Sequence, residues 1–118
     1  MKMLRAAVAA CLSLLPLQAT AGTMYLGGYP NVLILFDEAT GTVTKRIPLA
    51  TGLPTGLRES SDGKKIYVST ISTGGIETYD VATGKVIDSF SLNDPVTKYR
   101  FYSGVVDPSG RYFYTVAE

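Results

Sequence analysis

Tyr79-Asp80-Val81-Ala82-Thr83-Gly84-Lys85-Val86 decides how the rest of this chain folds, because the chain carries the phrase twice. Phe36-Asp37-Glu38-Ala39-Thr40-Gly41-Thr42-Val43 repeats it 43 residues earlier. In both copies an Asp, a short polar run and a Gly lie between apolar-alternating segments. That pattern reads as a hairpin turn, with Gly supplying the positive φ and the Asp carboxylate capping nearby N–H groups.

The flanks share the period. Val86, Asp88, Phe90 and Leu92 match Val43, Lys45, Ile47 and Leu49 at the same offset of 43, and Tyr67 follows Tyr25 at 42. Short β-branched and aromatic runs separated by turn residues predict strands throughout, and no stretch of useful length carries a helical period. The first unit shows three strands within 23–49, with Pro48 marking an edge. The second, over 55–92, shows four: Thr55–Ser60, Lys65–Ser69, Gly75–Tyr79 and Val86–Leu92. The third, over 102–117, shows two: Tyr102–Val106 and Arg111–Val116. Labelled a to d from the inside outward, four antiparallel strands in about 40–45 residues make one blade of a β-propeller. The expected fold is therefore all-β, a partial propeller of about two and a half blades after a signal peptide. Two and a half blades cannot close a ring of four to eight, so 22–118 is expected to be the N-terminal part of a longer propeller.

Residues 1–21 differ in kind. Lys2 and Arg5 form a positive n-region, Ala6–Leu17 an apolar core, and Ala19-Thr20-Ala21 a small-residue cleavage site. The apolar run is too short to span a bilayer. Val8-Ala9-Ala10-Cys11 has the form of a lipoprotein site, but greasy Leu12-Ser13-Leu14-Leu15 follows where a polar tether belongs. The expected location is accordingly periplasmic or secreted, without anchoring through Cys11. The exported part holds nine basic and ten acidic residues, which gives no electrostatic case for nucleic acid as a partner. It contains no His and no Cys, which removes the Ser-His-Asp triad, thiolate nucleophiles, most zinc sites and haem attachment. No catalytic residue, cofactor or metal is expected on this chain.

With Ser61-Asp62-Gly63-Lys64-Lys65-Ile66-Tyr67-Val68-Ser69 and Asp80-Val81-Ala82-Thr83-Gly84 in view, the chain resembles the YVTN-type β-propeller repeat family over residues 23–118. In that family a Ser-Pro-Asp-Gly-like turn precedes an Ile-Tyr-Val strand, and an Asp-x-x-Thr-Gly turn closes the outer hairpin. Ser61 stands here for the usual Pro, and Thr78 weakens strand c. Such motifs are turn chemistry and carry fold rather than activity. Leu92–Glu118, with its basic-aromatic linker, also looks like the propeller β subunit of quinohemoprotein amine dehydrogenases. The resemblance implies a scaffold whose quinone and haems sit on other subunits.

In such a fold the a–b and c–d turns share one face, while the b–c loops and d–a connections share the other, where propellers bind partners. Asp37, Gly41, Asp62, Gly63, Asp80, Gly84, Asp107 and Gly110 are expected to be structural turn residues. Asp37 and Asp80 do not supply the oxygens Ca²⁺ requires. Gly27-Gly28 and Gly74-Gly75 precede no helix, and Ser60 and Ser61 have no base. Tyr25, Tyr67 and Tyr114 recur on strand b and are expected to pack between blades. The partner-facing loops are Tyr29–Asn31, Ala50–Pro54, Thr70–Gly74 and Asn93–Tyr102. Lys98, Tyr99, Arg100 and Tyr102 on the last of these read either as a contact patch or as a solvated linker whose aromatics tuck under the blade. The expected function is an exported, non-catalytic scaffold that binds a protein or ligand, its partner being a protein or the missing remainder of the ring, or a further copy if the chain ends at 118. The alternative is a propeller subunit of a periplasmic amine-oxidising redox complex. A lactonase-type hydrolase ranks last, since a chain without His offers few bases.

Overall fold

A computed structural model describes residues 21–118; all but Ala21 of the expected leader, and Cys11 with it, lie outside the described residues. Nine strands are present, and among the described residues there is no helix. Strands β1 (Thr23–Gly28), β2 (Val32–Asp37) and β3 (Thr42–Pro48) form the first antiparallel sheet. Strands β4 (Pro54–Glu59), β5 (Lys65–Thr70), β6 (Gly75–Asp80) and β7 (Lys85–Ser91) form the second, and β8 (Phe101–Val106) with β9 (Phe113–Ala117) the third. Each sheet runs in chain order, as successive hairpins must when every connection is short.

The turns are built as their residues dictate. Gly41, Gly63, Gly84 and Gly110 hold φ of 67°, 69°, 68° and 72°, a region costly for any residue with a Cβ. Asp80 accepts from Thr83 N and Oγ1 at 2.8 and 2.7 Å, and Asp37 from Ala39 N and Thr40 Oγ1 at 2.9 and 3.0 Å. In the a–b turns the anchor is the residue before the turn. Ser60 Oγ accepts the Lys65 N–H at 2.9 Å, and Asp107 Oδ1 accepts the Tyr112 N–H at 2.8 Å in the equivalent place. Asp107 also captures Arg111 N at 2.9 Å, so pairing in the third sheet begins at Phe113 rather than at Arg111. Ser60 is consumed the same way, which ends β4 one residue before the sequence pattern does. A β-bulge recurs with the period: the extra residue is Thr44 in β3, opposite Leu35 and Phe36, and Ile87 in β7, opposite Thr78 and Tyr79.

Stacking of the sheets makes the core. From the first sheet Leu33, Leu35, Ile47 and Leu49 are buried against Ile66, Val68 and Tyr79 of the second. Tyr25 meets Tyr79 across this layer with ring centroids 6.0 Å apart and planes tilted by 59°. Burial raises both phenol pKa values, and the charge of Glu59 adds to the effect at Tyr25. The inner strands β4 and β8 lie side by side, and β1 touches β4 as β5 touches β8. Four side chains donate forward from one sheet to the next: Lys45 Nζ to Gly84 O (2.5 Å), Thr55 Oγ1 to Phe101 O (2.8 Å), Arg58 to Ser103 Oγ (3.4 Å) and Ser61 Oγ to Pro108 O (3.1 Å).

The strand-b tyrosines differ in surroundings. Tyr25 packs between sheets, Tyr67 is half-buried beside the third sheet, and Tyr114 is 60% exposed because the described residues place no sheet against its side of β9.

The same layer predicts unequal costs at equivalent positions. Ile47→Ala should destabilise the fold by about 2–5 kcal/mol, whereas Phe90→Ala, at the repeat-equivalent but exposed site, should cost about 1 kcal/mol or less, as read by chemical denaturation. Acid should act through the turns. Hydrogen bonds, chiefly from Ser60, Thr83 and Ser109 respectively, hold the carboxyls of Asp62, Asp80 and Asp107 below the ordinary carboxylate range. A folded pKa below the unfolded one stabilises above the unfolded value and loses that contribution as pH falls through the folded value. Circular dichroism of the β signal should therefore decline below about pH 4, and the D62N/D80N/D107N variant should show a shallower decline.

Candidate functional site

The a–b and c–d turns lie on one face: Val81 N donates to Lys64 O at 2.9 Å, which joins the two turns of the second sheet. The remaining connections gather at the opposite end of the strands. There Leu49 N bonds Asn31 O at 2.8 Å, Ile71 N bonds Leu53 O at 3.0 Å, and Leu92 N bonds Gly74 O at 3.1 Å. This loop face carries the irregular, functionally interesting segments.

Its centre is a polar knot that sequence patterning does not reveal. Glu77 lies in β6 with only 2% of its surface exposed, on the buried face of the strand with Gly75 and Tyr79. Its carboxylate accepts from Ala50 N at 3.1 Å, Thr51 N at 2.9 Å and Thr51 Oγ1 at 2.8 Å. Thr51 Oγ1 in turn accepts from Thr70 Oγ1 at 2.8 Å, and Thr73 Oγ1 donates to Thr51 O at 2.7 Å. A buried carboxylate is tolerable when hydrogen bonds replace its lost water, and this one receives three. The knot fixes the connection between the first two sheets onto the third strand of the second. The repeat-equivalent of Glu77 is Ile34, so the knot belongs to this junction and is not part of the repeat.

The second connection, residues 92–100, is longer than the first, residues 49–53, and is tied down by a different device. Asp94 Oδ1 accepts from Val96 N at 2.8 Å and Thr97 N at 2.6 Å, bonds that hold its carboxyl below the ordinary range, with the Thr97 amide contributing most. Asn93 Oδ1 accepts Tyr99 N at 2.5 Å. Tyr99 lies over Gly74, where a Cβ would come within 2.9 Å of the Tyr99 Cβ. Gly74 has φ +53°, so the contact and the backbone both select glycine. Side chains of the Lys98–Tyr102 stretch point two ways. Tyr99 is half-buried and Phe101 is 1% exposed, tucked under the blade, while Lys98, Arg100 and Tyr102 face solvent. Arg100 is pinned by its backbone, which bonds Glu118 O at 2.9 Å, and the Tyr102 hydroxyl reaches Glu118 Oε2 at 3.3 Å. Tyr29, at the tip of the β1–β2 turn, is 86% exposed on the same face.

On the other face, a groove of about 330 Å³ between the a–b turns is lined by Glu59, Asp62, Lys65, Asp107 and the turn backbone. Among the described residues no three acidic, Cys or His side chains are placed to hold a metal ion. Asp37, Asp62, Asp80 and Asp107 spend their oxygens on their own turns. No helix among the described residues is long and apolar enough to cross a membrane.

Glu77→Gln exchanges an acceptor oxygen for an NH₂ group among three donors. It should lower unfolding free energy by about 2 kcal/mol, and Thr51→Ala by about 1 kcal/mol, in urea titrations.

No protein-family model matches the sequence, and no curated protein matches it either. Among solved structures it is similar to the β-propeller domain of Cps50 (Swd1) from Myceliophteria thermophila, with a TM-score of 0.65 and 15% identity. The match covers 79% of this chain and 28% of that one, so the chain spans little more than a quarter of that propeller's length. With nine antiparallel strands in stacked sheets among the described residues, the chain has the fold of a partial β-propeller.

Proposed function

We propose that this chain is an exported, non-catalytic part of a β-propeller of the YVTN-repeat type, serving as a scaffold that binds a protein partner through its loop face. The observation that carries this reading is the architecture of the 92–100 connection. A long loop is held in one shape by Asp94, Asn93 and Gly74, and it presents Lys98, Arg100 and Tyr102 outward. Ordering side chains before binding removes part of the entropic cost of association, and Tyr and Arg are the residues that most often anchor interfaces. The near-neutral exported part supports a protein or small ligand as partner in preference to nucleic acid. Export rests on the leader-like residues 1–21, and the YVTN assignment on the two turn phrases.

A second reading makes the chain a propeller portion of a periplasmic amine-dehydrogenase-type complex, with quinone and haems on other subunits. It is favoured by the basic-aromatic linker before β8, the segment whose sequence resembles those subunits. Neighbouring genes for a quinone-bearing and a dihaem subunit would support this reading, and their absence would set it aside.

Chemical crosslinking in periplasmic extract, followed by mass spectrometry, tests the scaffold reading. The wild-type chain should crosslink one partner reproducibly through residues 93–102, and K98E/R100E should lose about tenfold or more of the product with an unchanged circular dichroism spectrum. Equal yields from both proteins, or turnover of an amine or lactone by the isolated chain, would overturn it.

A further inference from the structure

Thr73, in the loop between β5 and β6, stands between the two connections that flank the second sheet. Its Oγ1 donates to Thr51 O at 2.7 Å, on the side where Glu77 holds the Ala50 and Thr51 N–H groups. On the other side its carbonyl accepts from Ser91 Oγ at 2.5 Å. Ser91 Oγ accepts in turn from Asn93 N at 3.2 Å, and Asn93 Oδ1 accepts Tyr99 N, which closes the neck of the 93–99 excursion. Gly74, the next residue, gives a second link: Leu92 N donates to its carbonyl at 3.1 Å, and Tyr99 leaves no room for a methyl group on its Cα. An unbroken series of bonds therefore runs from Glu77 through Thr51, Thr73, Ser91 and Asn93 to Tyr99. It ends in a contact too close to absorb a shift.

The repeat does not call for this series. At the positions 43 residues before Thr73, Glu77, Ser91 and Asn93 stand Pro30, Ile34, Pro48 and Ala50, whose side chains neither donate nor accept. The main-chain tie is common to both sheets, since Leu49 N donates to Asn31 O as Leu92 N does to Gly74 O. The side-chain series is confined to the second sheet, where the connection is also longer. Main-chain bonds at Leu49 and Leu53 bracket three residues of the first connection (50–52), and those at Leu92 and Arg100 bracket seven of the second (93–99). A longer loop has more freedom to lose on ordering, and the added polar side chains lie where that loop is tied down.

We propose that Thr73 and Glu77 are positioning residues for the 93–100 loop, so that the first connection and this loop change shape together. Loss of the Thr73 hydroxyl frees Thr51 O and lets the Thr73–Gly74 peptide move. Ser91 and Tyr99 both bear on that peptide, so the movement reaches the neck of the loop. A molecule that engages the 49–53 connection would then alter binding at 93–100, and the reverse effect would be equal in size. The consequence for binding rests on the reading of the 93–100 loop as a contact surface, whereas the coupling itself needs no partner.

Residue-resolved amide hydrogen exchange of the full chain tests the coupling. Thr73→Val keeps the shape of the side chain and removes its hydroxyl, while Thr73→Ser keeps the hydroxyl. Exchange at Leu92 and Tyr99 should rise about tenfold in T73V and stay near the wild-type rate in T73S. By reciprocity, S91A should speed exchange at Thr51, on the far side of the bridge. Thr44→Val, which deletes a hydroxyl bond to Leu35 O in the first sheet, should leave Tyr99 unchanged. Val81 and Gly84, whose amides are bonded in the turn on the opposite face, should exchange at one rate in wild type, T73V and S91A. Unaltered exchange at Tyr99 in T73V overturns the proposal. So does an equal rise at Tyr99, Val81 and Gly84, which would mean general loss of stability. Faster exchange at Tyr99 with an unchanged yield of the partner crosslink would uphold the coupling and overturn the contact-surface reading instead.

Discussion

A three- or four-stranded sheet has two faces and cannot bury either of them on itself, so each sheet here depends on the next one for its core. The layer formed by Leu33, Leu35, Ile47 and Leu49 against Ile66, Val68 and Tyr79 is where that dependence is satisfied in full. The turns set the spacing that brings these side chains together. The bulges at Thr44 and Ile87 recur in the outer strands, while Tyr79 of β6 lies against Tyr25 across the layer. Elsewhere the dependence is met only in part. Met24 and Leu26 on one flank and Val105, Tyr114 and Val116 on the other are 40–75% exposed, as expected of residues whose natural neighbours are further sheets.

Much of this was legible in the residues, and for a physical reason. Alternation with period two, together with Gly at positions that require positive φ, records local backbone geometry, and the repeat of Asp37–Gly41 at Asp80–Gly84 shows that the geometry recurs. Strand ends were less legible because they depend on how an anchor spends its hydrogen bonds. Asp107 binds both Arg111 and Tyr112 N–H groups and so delays the start of β9. The candidate site was legible in position and not in construction. Composition and length single out the 93–102 segment, but they do not separate a tucked Tyr99 and Phe101 from an outward Lys98, Arg100 and Tyr102. Alternation puts Glu77 on the same face as Tyr79 but does not show what satisfies its carboxylate there. Its burial depends on the backbone N–H groups of Ala50 and Thr51, which lie 27 and 26 residues away and have no signature in a sequence.

The two faces of the sheets are consequently of different character. On the turn face Asp37, Asp80, Asp107 and Ser60 satisfy their own short loops, and single bonds from Lys45, Ser61 and Val81 link one turn to another. On the loop face, connections are tied to strands distant in sequence, through Glu77 at one junction and through Gly74 beneath Tyr99 at the next.

The four forward-donated bonds from Lys45, Thr55, Arg58 and Ser61 have a further consequence. In each, the donor belongs to the earlier sheet and the acceptor to the later one, so the array has a head and a tail. A polar array of this kind cannot meet its own image across a two-fold axis through the same contacts, because both sides would offer donors or both acceptors. Units can be added only by repeating one rotation in one sense, and the size of that rotation alone determines whether the series closes upon itself.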